Sequence, residues 1–319
     1  MSEIKEVRLL VRRIKFFSAL ALLPFFGACE EEELSDKSPT FNHNGVEREY
    51  IFYKPNELKQ NAPLVFVLHG YTSNAEAIQW YSGMNNMADA NGFAVCYPQG
   101  TPDYSGTTHW NARLSISQTD DIGFLSELAG LLQEEHNLDP GKTFVCGMSN
   151  GGYMSYTLAC EAPEIFKAVA SVTGTMSGYS WENCDPSEPV PVLQISGVND
   201  QIVPIDGSMN AAGGWGGAPH MDKVIDYWSH LNGCTTTDSL FLSEKTNAYY
   251  HRDCTKNHEV WYYKIDDWGH EWPSLYDDTG TNANEAIWSF FSNFSTPKRI
   301  KSFPTHPTKR PATDNFKKI

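Results

Sequence analysis

The sequence has no surplus of positive charge: 24 lysines and arginines against 39 acids give a net charge of −15. Nucleic acids and anionic lipids are bound by basic patches, and here no basic stripe precedes the last segment of the chain, so neither is expected as a partner. Cysteine pairs at metal-finger spacing are also lacking, which excludes a zinc finger. We therefore expect a neutral or locally charged substrate. We also expect that the protein uses no metal or organic cofactor and is a monomer.

A run long enough to cross a bilayer is missing from the N-terminus as well. Residues 16–28 are apolar, but a spanning helix needs about 20 such residues, and a proline lies inside the run. Basic residues precede it, and two small residues lead into Cys29. The pattern predicts a lipoprotein signal over residues 1–29 with lipidation at Cys29, followed by an acidic tether over residues 30–43. The alternative is an ordinary signal peptide or membrane anchor that happens to contain a cysteine.

The other cysteines favour export to an oxidising compartment. Cys96 and Cys146 lie in apolar, strand-like runs and are expected to be buried thiols. Four more lie in looser surroundings and are the disulfide candidates, although spacing alone does not prove their pairing: Cys160, Cys184, Cys234 and Cys254. We expect an exported protein, lipid-anchored to a bacterial cell envelope or secreted.

Strand and helix signals alternate from residue 44 to residue 295. Apolar runs without alternation, such as "APLVFVLHG" and "FAVCYPQG", indicate strands covered on both faces, and segments with helical periodicity separate them. This order predicts one α/β domain with a mainly parallel central sheet and helices on both faces. Residues 296–319 are basic and contain four prolines, which predicts a flexible tail, with a basic interaction arm as the alternative.

The stretch "KTFVCGMSNGG" joins a buried strand to a helix through a corner of small residues. Gly147 and Gly151 flank Ser149 at the spacing of a G-x-S-x-G turn. Such a turn presents a serine hydroxyl, and the N-terminus of the next helix stabilises negative charge beside it. The position between a strand and a helix predicts that Ser149 is a nucleophile. The alternative is a glycine-rich turn without chemistry.

A serine nucleophile needs a base and an acid that orients it. Asp200 follows the buried strand in "VPVLQISGVND", and Asp206 in the same loop is its competitor. His270 follows the next strand, in "YYKIDDWGHEWPS", and is the expected base. Of the other histidines after the serine, four lie on a helix or before that strand: His220, His230, His251 and His258.

An oxyanion hole is expected after "LVFVLHG", where Gly70 lets the chain bend at a strand end. We predict the backbone amides of Tyr71 and Asn150 as its donors. His69 precedes the serine in the chain and is expected to brace this loop by hydrogen bonds. Three tryptophans in loops near the same edge are candidate substrate contacts, with covering the core as the alternative: Trp110, Trp215 and Trp272.

The chain resembles a family of secreted esterases, the polyhydroxybutyrate-depolymerase-like and feruloyl-esterase-like enzymes related to carbohydrate esterase family one. The matching motifs cover residues 43 to 294 in order: "VEREYIFYKP", "PLVFVLHGYTSN", "HWNA" with "DDIGFL", "VCGMSNGGYMSYTLACEAPEIFKAVASVTG", "DQIVPIDG", "LNGC", and "WGHEWPS" with "IWSFF".

This resemblance implies an α/β-hydrolase fold and the triad of Ser149, Asp200 and His270. It also implies that Asp120 or Asp121 holds the framework, and that Cys234 pairs with Cys254. Two segments depart from the pattern. "SGVND" replaces the usual His-Gly start of the acid loop, and "MNAAGGWGGAPH" replaces a segment with fewer glycines, which bears on substrate preference.

The combined prediction is a serine carboxylic-ester hydrolase that works through an acyl-enzyme. Feruloyl or acetyl esters of plant polysaccharide are the expected substrates, and a polyhydroxyalkanoate or another aliphatic polyester is the alternative. A non-catalytic glycan-binding lipoprotein is the alternative of another class. A peptidase of the same fold has no support, because no propeller or cap for peptides is evident in the sequence.

Overall fold

The computed structural model describes residues 38–295. The predicted signal segment with Cys29, residues 30–37 of the predicted tether and the predicted tail over residues 296–319 lie outside the described residues. The remaining tether residues do not behave as a tether, because Thr40–His43 forms a strand that pairs with Val46–Tyr53 through a hairpin at Asn44 and Gly45. The folded domain therefore begins before residue 44, where the sequence was expected to change from tether to domain.

The described residues contain strands and helices in alternation. The strands are β1 Thr40–His43, β2 Val46–Tyr53, β3 Leu64–Leu68, β4 Ala94–Pro98, β5 Thr101–Pro102, β6 Thr108–His109, β7 Thr143–Met148, β8 Val169–Val172, β9 Val192–Gly197, β10 Thr236–Phe241, β11 Thr246–Arg252 and β12 Val260–Ile265. The α-helices are α1 Ala75–Ser82, α2 Met84–Asn91, α3 Asp121–His136, α4 Asn150–Glu161, α5 Gly178–Asn183, α6 Met221–Leu231 and α7 Ala283–Ser295.

Ten strands form one sheet in the order β1-β2-β4-β3-β7-β8-β9-β12-β11-β10. The pairs from β4 to β12 are parallel, whereas β1 and β2 at one end and β10 and β11 at the other pair antiparallel. The predicted mainly parallel α/β architecture is confirmed. Because parallel strands all end at the same edge, the loops after β3, β7, β9 and β12 meet there.

Both faces of the sheet are covered. In β3 the side chains of Leu64, Phe66 and Leu68 join one hydrophobic cluster, which α3, α4 and α6 complete, while Val65 and Val67 join a second cluster with α1, α2 and α7. This two-sided burial explains why the strand sequences are continuously apolar rather than alternating.

Two features of the sheet and its helices differ from the expected pattern. The periodic stretch before Gly92 is two helices rather than one, because Gly83 takes a left-handed conformation (φ 62°) that ends α1. The β10–β11 hairpin has no clear sequence signal, since every residue of β10 is exposed and the strand lies at the edge of the sheet.

The four disulfide candidates pair as Cys160 with Cys184 and Cys234 with Cys254, which confirms the prediction. The first bond joins the C-terminal turn of α4 to the residue after α5, and the second joins the segment after α6 to the end of β11. Cys96 is a buried free thiol, and burial raises its pKa well above the ordinary value. Among the residues described, no helix has the length and apolar character needed to traverse a membrane.

Removing the Cys160–Cys184 bond will lower the free energy of unfolding by about 3 kcal/mol, because the bond restricts the unfolded chain over a separation of 24 residues. The measurement is urea denaturation of the C160S/C184S variant under non-reducing conditions. The C234S/C254S variant is a second test. Its bond spans a similar separation of 20 residues, so removing it should lower the free energy of unfolding by a similar amount. Unchanged midpoints in both variants would contradict the assigned pairing.

Candidate active site

Ser149 lies at the corner between β7 and α4 with an unusual backbone conformation (φ 53°, ψ −118°). A serine adopts positive φ only at a cost, so the surrounding structure has to hold it there. Its amide donates to Val172 O at 2.9 Å, and its carbonyl accepts from Tyr153 N at 3.0 Å in the first turn of α4. The corner thus presents the serine side chain at the edge where the parallel strands end.

Glycines permit this corner because backbones pass very close to one another there. A Cβ at Gly147 would overlap the backbone of Gly151, and a Cβ at Gly151 would overlap the carbonyl of Leu68 at the end of β3. Gly70 also approaches the serine, since a Cβ added to it would lie 3.5 Å from the Cβ of Ser149. The glycine pattern therefore brings the loop after β3 against the nucleophile candidate.

Asp200 follows β9 and is buried with both carboxylate oxygens occupied. Oδ1 accepts hydrogen bonds from the amides of Ile202 and Val203, each at 2.8 Å, while Oδ2 lies 2.8 Å from Nδ1 of His270. The two amides fix the orientation of the carboxylate, which in turn fixes the plane of the imidazole. Asp206, the competing acid, is exposed and instead accepts from the amide of Ser208 at 2.9 Å.

The acid and histidine loops are also joined through their backbones. β9 and β12 are parallel neighbours with Gly197 opposite Ile265, so the loops that follow them leave the sheet side by side. Asn199 N donates to Trp268 O at 2.9 Å, which fastens one loop to the other. The contact between Asp200 and His270, which are 70 residues apart, is therefore supported by the sheet rather than by the side chains alone.

No hydrogen bond joins Ser149 Oγ to His270 within the described part of the chain. Contacts between a nucleophile and its base are often long or poorly aligned before substrate binds, so this geometry is compatible with His270 as the base. The side chain of His270 is 19% exposed, Nδ1 contacts Asp200, and Nε2 forms no hydrogen bond with any residue from 38 to 295.

The backbone amides of Tyr71 and Asn150 are both available as donors. Asn150 is the first residue of α4, where amides have no partner inside the helix. The amide of Tyr71 donates no hydrogen bond to any described residue, whereas the next two amides, of Thr72 and Ser73, are bonded to Thr108 O and Gly70 O. These two amides belong to the two loops that meet at Ser149.

The side chain of Asn150 has a second role that the sequence did not reveal. It is buried and pairs with the backbone of Trp110, since Oδ1 accepts from Trp110 N at 2.6 Å and Nδ2 donates to Trp110 O at 3.0 Å. The indole Nε1 of Trp110 then donates to His69 O at 3.1 Å. This chain of bonds fixes the residue that precedes Gly70.

His69 is buried and bonded through both ring nitrogens. Nδ1 donates to Gly70 O at 2.8 Å, and Nε2 accepts from Gly100 N at 3.0 Å, which requires the neutral tautomer with the proton on Nδ1. Burial lowers the pKa of His69 to about 4, because the charged form is poorly solvated there. The side chain braces the loop, as the sequence suggested, and cannot serve as a base toward Ser149.

Asp121 holds the segment that contains Trp110. Its Oδ2 accepts from Asn111 N at 2.7 Å and its Oδ1 from Arg48 Nη2 at 2.7 Å, and both charged side chains are buried. The neighbouring Asp120 instead caps α3, where it accepts from Gly123 N, and lies 3.1 Å from His43. The framework role expected of one of these two acids therefore falls mainly to Asp121.

The three tryptophan candidates have different positions. Trp110 is 0% exposed and Trp272 is 4% exposed, which favours the alternative that they cover the core: one braces His69 and the other packs in the core, with its indole bonded to Asn284. Trp215 is half-buried and lies between the rings of Tyr71 and Tyr153, with centroids 5.5 and 5.3 Å away. It is the one candidate of the three that is partly exposed.

The remaining histidines lie where the sequence indicated. His220 caps α6 by accepting from Asp222 N, and His230 lies in the last turn of that helix, while His251 belongs to β11 and His258 precedes β12. Within residues 38–295, no group of three or more potential ligand side chains is arranged to hold a metal ion.

Comparison with known proteins assigns the family. The sequence profile described as Esterase PHB depolymerase matches residues 49–226, more than half of the chain.

The chain belongs to the PHB depolymerase esterase family.

Relatives of this family member include feruloyl esterase C of Emericella nidulans, which is 27% identical over 270 residues that cover 80% of this chain and 88% of the relative. A bifunctional acetylxylan esterase/xylanase of Neocallimastix patriciarum is 28% identical over 160 residues, 50% of this chain and 22% of that protein. The chain spans only 44%, 22% and 64% of three of the curated relatives, so it matches part of those proteins.

Solved structures confirm the α/β-hydrolase fold of this esterase-family chain. An acetyl xylan esterase from Aspergillus awamori superimposes with a TM-score of 0.58 at 17% identity, covering 77% of this chain and 94% of that one. An S-formylglutathione hydrolase from Agrobacterium tumefaciens gives a TM-score of 0.53 at 14% identity, covering 80% and 94%. At these identities the likeness concerns the fold alone.

The burial of neutral His69 makes the stability of this family member depend on pH. The unfolded state takes up a proton near pH 6.5, whereas the folded state does so only near pH 4. Stability is therefore complete above pH 6.5 and falls as the pH is lowered, by about 2 kcal/mol between pH 8 and pH 5 from this residue. Urea denaturation at both pH values measures the loss. The His69→Gln variant should show a drop smaller by that amount, and equal drops in both proteins would refute the assignment.

Proposed function

We propose that this chain is a serine carboxylic-ester hydrolase with Ser149 as nucleophile, His270 as base and Asp200 as the orienting acid. The observation that carries the proposal is the 2.8 Å contact of His270 Nδ1 with Asp200 Oδ2, formed at the sheet edge that also presents Ser149. The second carboxylate oxygen is held by two amides, so the acid cannot rotate away from the imidazole. Membership of the esterase family supports the same reaction class.

With its proton on Nδ1, His270 donates a hydrogen bond to Asp200 Oδ2, and Nε2 keeps a lone pair. In the proposed mechanism Nε2 accepts the proton of Ser149 Oγ as that oxygen attacks the ester carbonyl, and Asp200 stabilises the imidazolium that forms. The proton then passes to the leaving alcohol as the carbon–oxygen bond of the ester breaks. Water, deprotonated by the same nitrogen, releases the acid from the acyl-enzyme and restores Ser149.

The negative oxygen of the tetrahedral intermediate would be bound by the amides of Tyr71 and Asn150. Both donors are preorganised: Asn150 by its helix and its bonds to Trp110, Tyr71 by the loop that His69 braces. The hydroxyl of Tyr71 also donates to Asp103 Oδ2 at 2.7 Å, which fixes the side chain of this residue. Donors that need no rearrangement stabilise the transition state by about 3 kcal/mol each.

Feruloyl or acetyl esters of plant polysaccharide are the proposed substrates. The half-buried ring of Trp215, packed against Tyr71 and Tyr153, provides an aromatic wall beside the predicted oxyanion loop, which suits a flat acyl group. The names of two relatives, feruloyl esterase C and acetylxylan esterase/xylanase, support this class. The description of the family, which names PHB depolymerase, favours polyester oligomers as the alternative.

Export of the protein is part of the proposal. The two disulfides suit an oxidising compartment, where such bonds persist. Attachment to a membrane through a lipid on Cys29 stays a prediction from the sequence, as does a monomeric state.

Replacing Ser149 by alanine is expected to reduce kcat for p-nitrophenyl acetate by at least about 10⁴-fold, because no other side chain takes over the attack. The same assay should show a large loss for Asp200→Asn, since the imidazole then loses its charged partner. Asp206→Asn is the matched control in the same loop and should retain activity.

Wild-type turnover by the Ser149→Ala variant would rule out the assigned nucleophile. Labelling by a fluorophosphonate probe separates the enzyme from a non-catalytic glycan-binding protein of the same fold. The wild-type chain should be labelled at Ser149, and a folded protein that resists the probe would favour the binding protein.

The acyl preference is tested by comparing kcat/KM for methyl ferulate with kcat/KM for a 3-hydroxybutyrate oligomer. The aromatic wall predicts faster hydrolysis of methyl ferulate, and Trp215→Ala should reduce this preference by roughly tenfold, as expected for the loss of an aromatic contact. A preference for the oligomer in the wild-type protein would favour the polyester alternative.

A further inference from the structure

A groove of about 590 Å³ lies beside the histidine loop, on the face of the sheet that α1, α2 and α7 cover. One wall is the end of α1 with the turn that follows, and the other is formed by Trp268 and by residues 271–277, on either side of His270 in the chain. The two walls meet where Trp272 N donates to the hydroxyl of Tyr81 at 3.1 Å. The groove is therefore continuous with the segment that carries the proposed base.

Exposed aromatic and aliphatic side chains are concentrated in this groove. Four of the ten exposed large hydrophobic side chains in the described residues line it: Trp80, Tyr81, Leu275 and Tyr276. Trp80 is 84% exposed and Tyr276 is 98% exposed, and neither packs against another ring in the described structure. Leaving such surface in water is unfavourable, and a contiguous exposed patch in a groove marks a binding surface.

The polar groups in the groove indicate what kind of polymer fits. Its lining includes the carboxylates of Glu271 and Glu285 and the amides of Asn86 and Asn282, and no lysine or arginine. Glu271 is exposed, and its carboxylate is bonded to no other described residue. An anionic polymer would be repelled here, and a polyester has no donor to satisfy these oxygens, so covering them would cost free energy. A neutral chain with many hydroxyl groups satisfies them.

We propose that this groove binds pyranose units of a neutral polysaccharide, the chain that carries the ester bond. The rings of Trp80 and Tyr276 stack against the apolar faces of the sugars, while Glu271 and the nearby amides bond to their hydroxyls. The inference rests on the proposed function for the position of the ester, which would lie at the end of the groove next to His270. In this proposal the aromatic surface between α1 and residues 268–277 contacts the polymer rather than the acyl group.

The test measures binding without turnover. The full chain with Ser149→Ala is run in affinity electrophoresis through gels that contain a soluble neutral arabinoxylan, and Kd is obtained from the retardation. Adding Trp80→Ala or Tyr276→Ala should weaken binding roughly five- to tenfold, as expected for the loss of one stacked ring. Trp80→Phe should stay within twofold of the parent because it keeps an aromatic face.

Tyr179→Ala is the matched control, since Tyr179 is 54% exposed on α5, which packs with the other hydrophobic cluster, and binding should stay within twofold. Binding that is equal in the parent and in both groove variants overturns the proposal. So does a Trp80→Ala variant that loses adsorption to polyhydroxybutyrate granules but keeps its affinity for arabinoxylan, because the groove would then bind polyester.

The binding measurements on the groove variants and the hydrolysis assay on Ser149→Ala test the two proposals independently. If Ser149→Ala abolishes ester hydrolysis while the groove variants bind as the parent does, only the polysaccharide groove is refuted. If the groove variants lose affinity while hydrolysis survives Ser149→Ala, the groove stands and the assigned nucleophile falls.

Discussion

The backbone of Ser149 is held at a positive φ, and much of the surrounding structure serves to keep it there. A residue in such a conformation costs about 1–3 kcal/mol and persists only where its neighbours leave no alternative. Here the neighbours are the helix that begins at Asn150, the end of β8 that accepts from its amide, and glycine backbones too close for a side chain. The strained backbone of Ser149 thereby places its side chain at the sheet edge, and Thr72 and Thr173 in the neighbouring loops also have positive φ.

Buried polar side chains support the loops around that residue. The Asn150 side chain bonds to the backbone of Trp110, His69 accepts from Gly100 N, and Asp121 forms a buried ion pair with Arg48. Each of these bonds satisfies a group that would be costly to leave unpaired in the interior. Because the bonds run from one loop to the next, the donors proposed for the oxyanion are rigid before any substrate arrives.

The sequence was sufficient to predict the features that follow from local patterns or from the order of residues along the chain. Continuous apolar strands predicted the parallel sheet, and the order of serine, acid and histidine after three strands predicted which residues share its edge. It was insufficient to predict features that depend on contacts between residues distant in the chain. Trp110 and Trp272 lie in loops, so the sequence left substrate contact and core covering open for both, and the structure buries them. The pairing of Asn150 with Trp110 joins residues 40 positions apart and has no local pattern, and the exposed β10 lacks the apolar signal of a strand.

The position of β12 has a consequence for truncation of the chain. This strand lies between β9 and β11, and it places the loop of His270 beside the loop of Asp200. It is also the last strand of the described chain, and a single domain folds as a unit. A polypeptide that stops before residue 260 lacks a strand from the interior of the sheet, so β9 would keep an unpaired edge and the β10–β11 hairpin would have no neighbour.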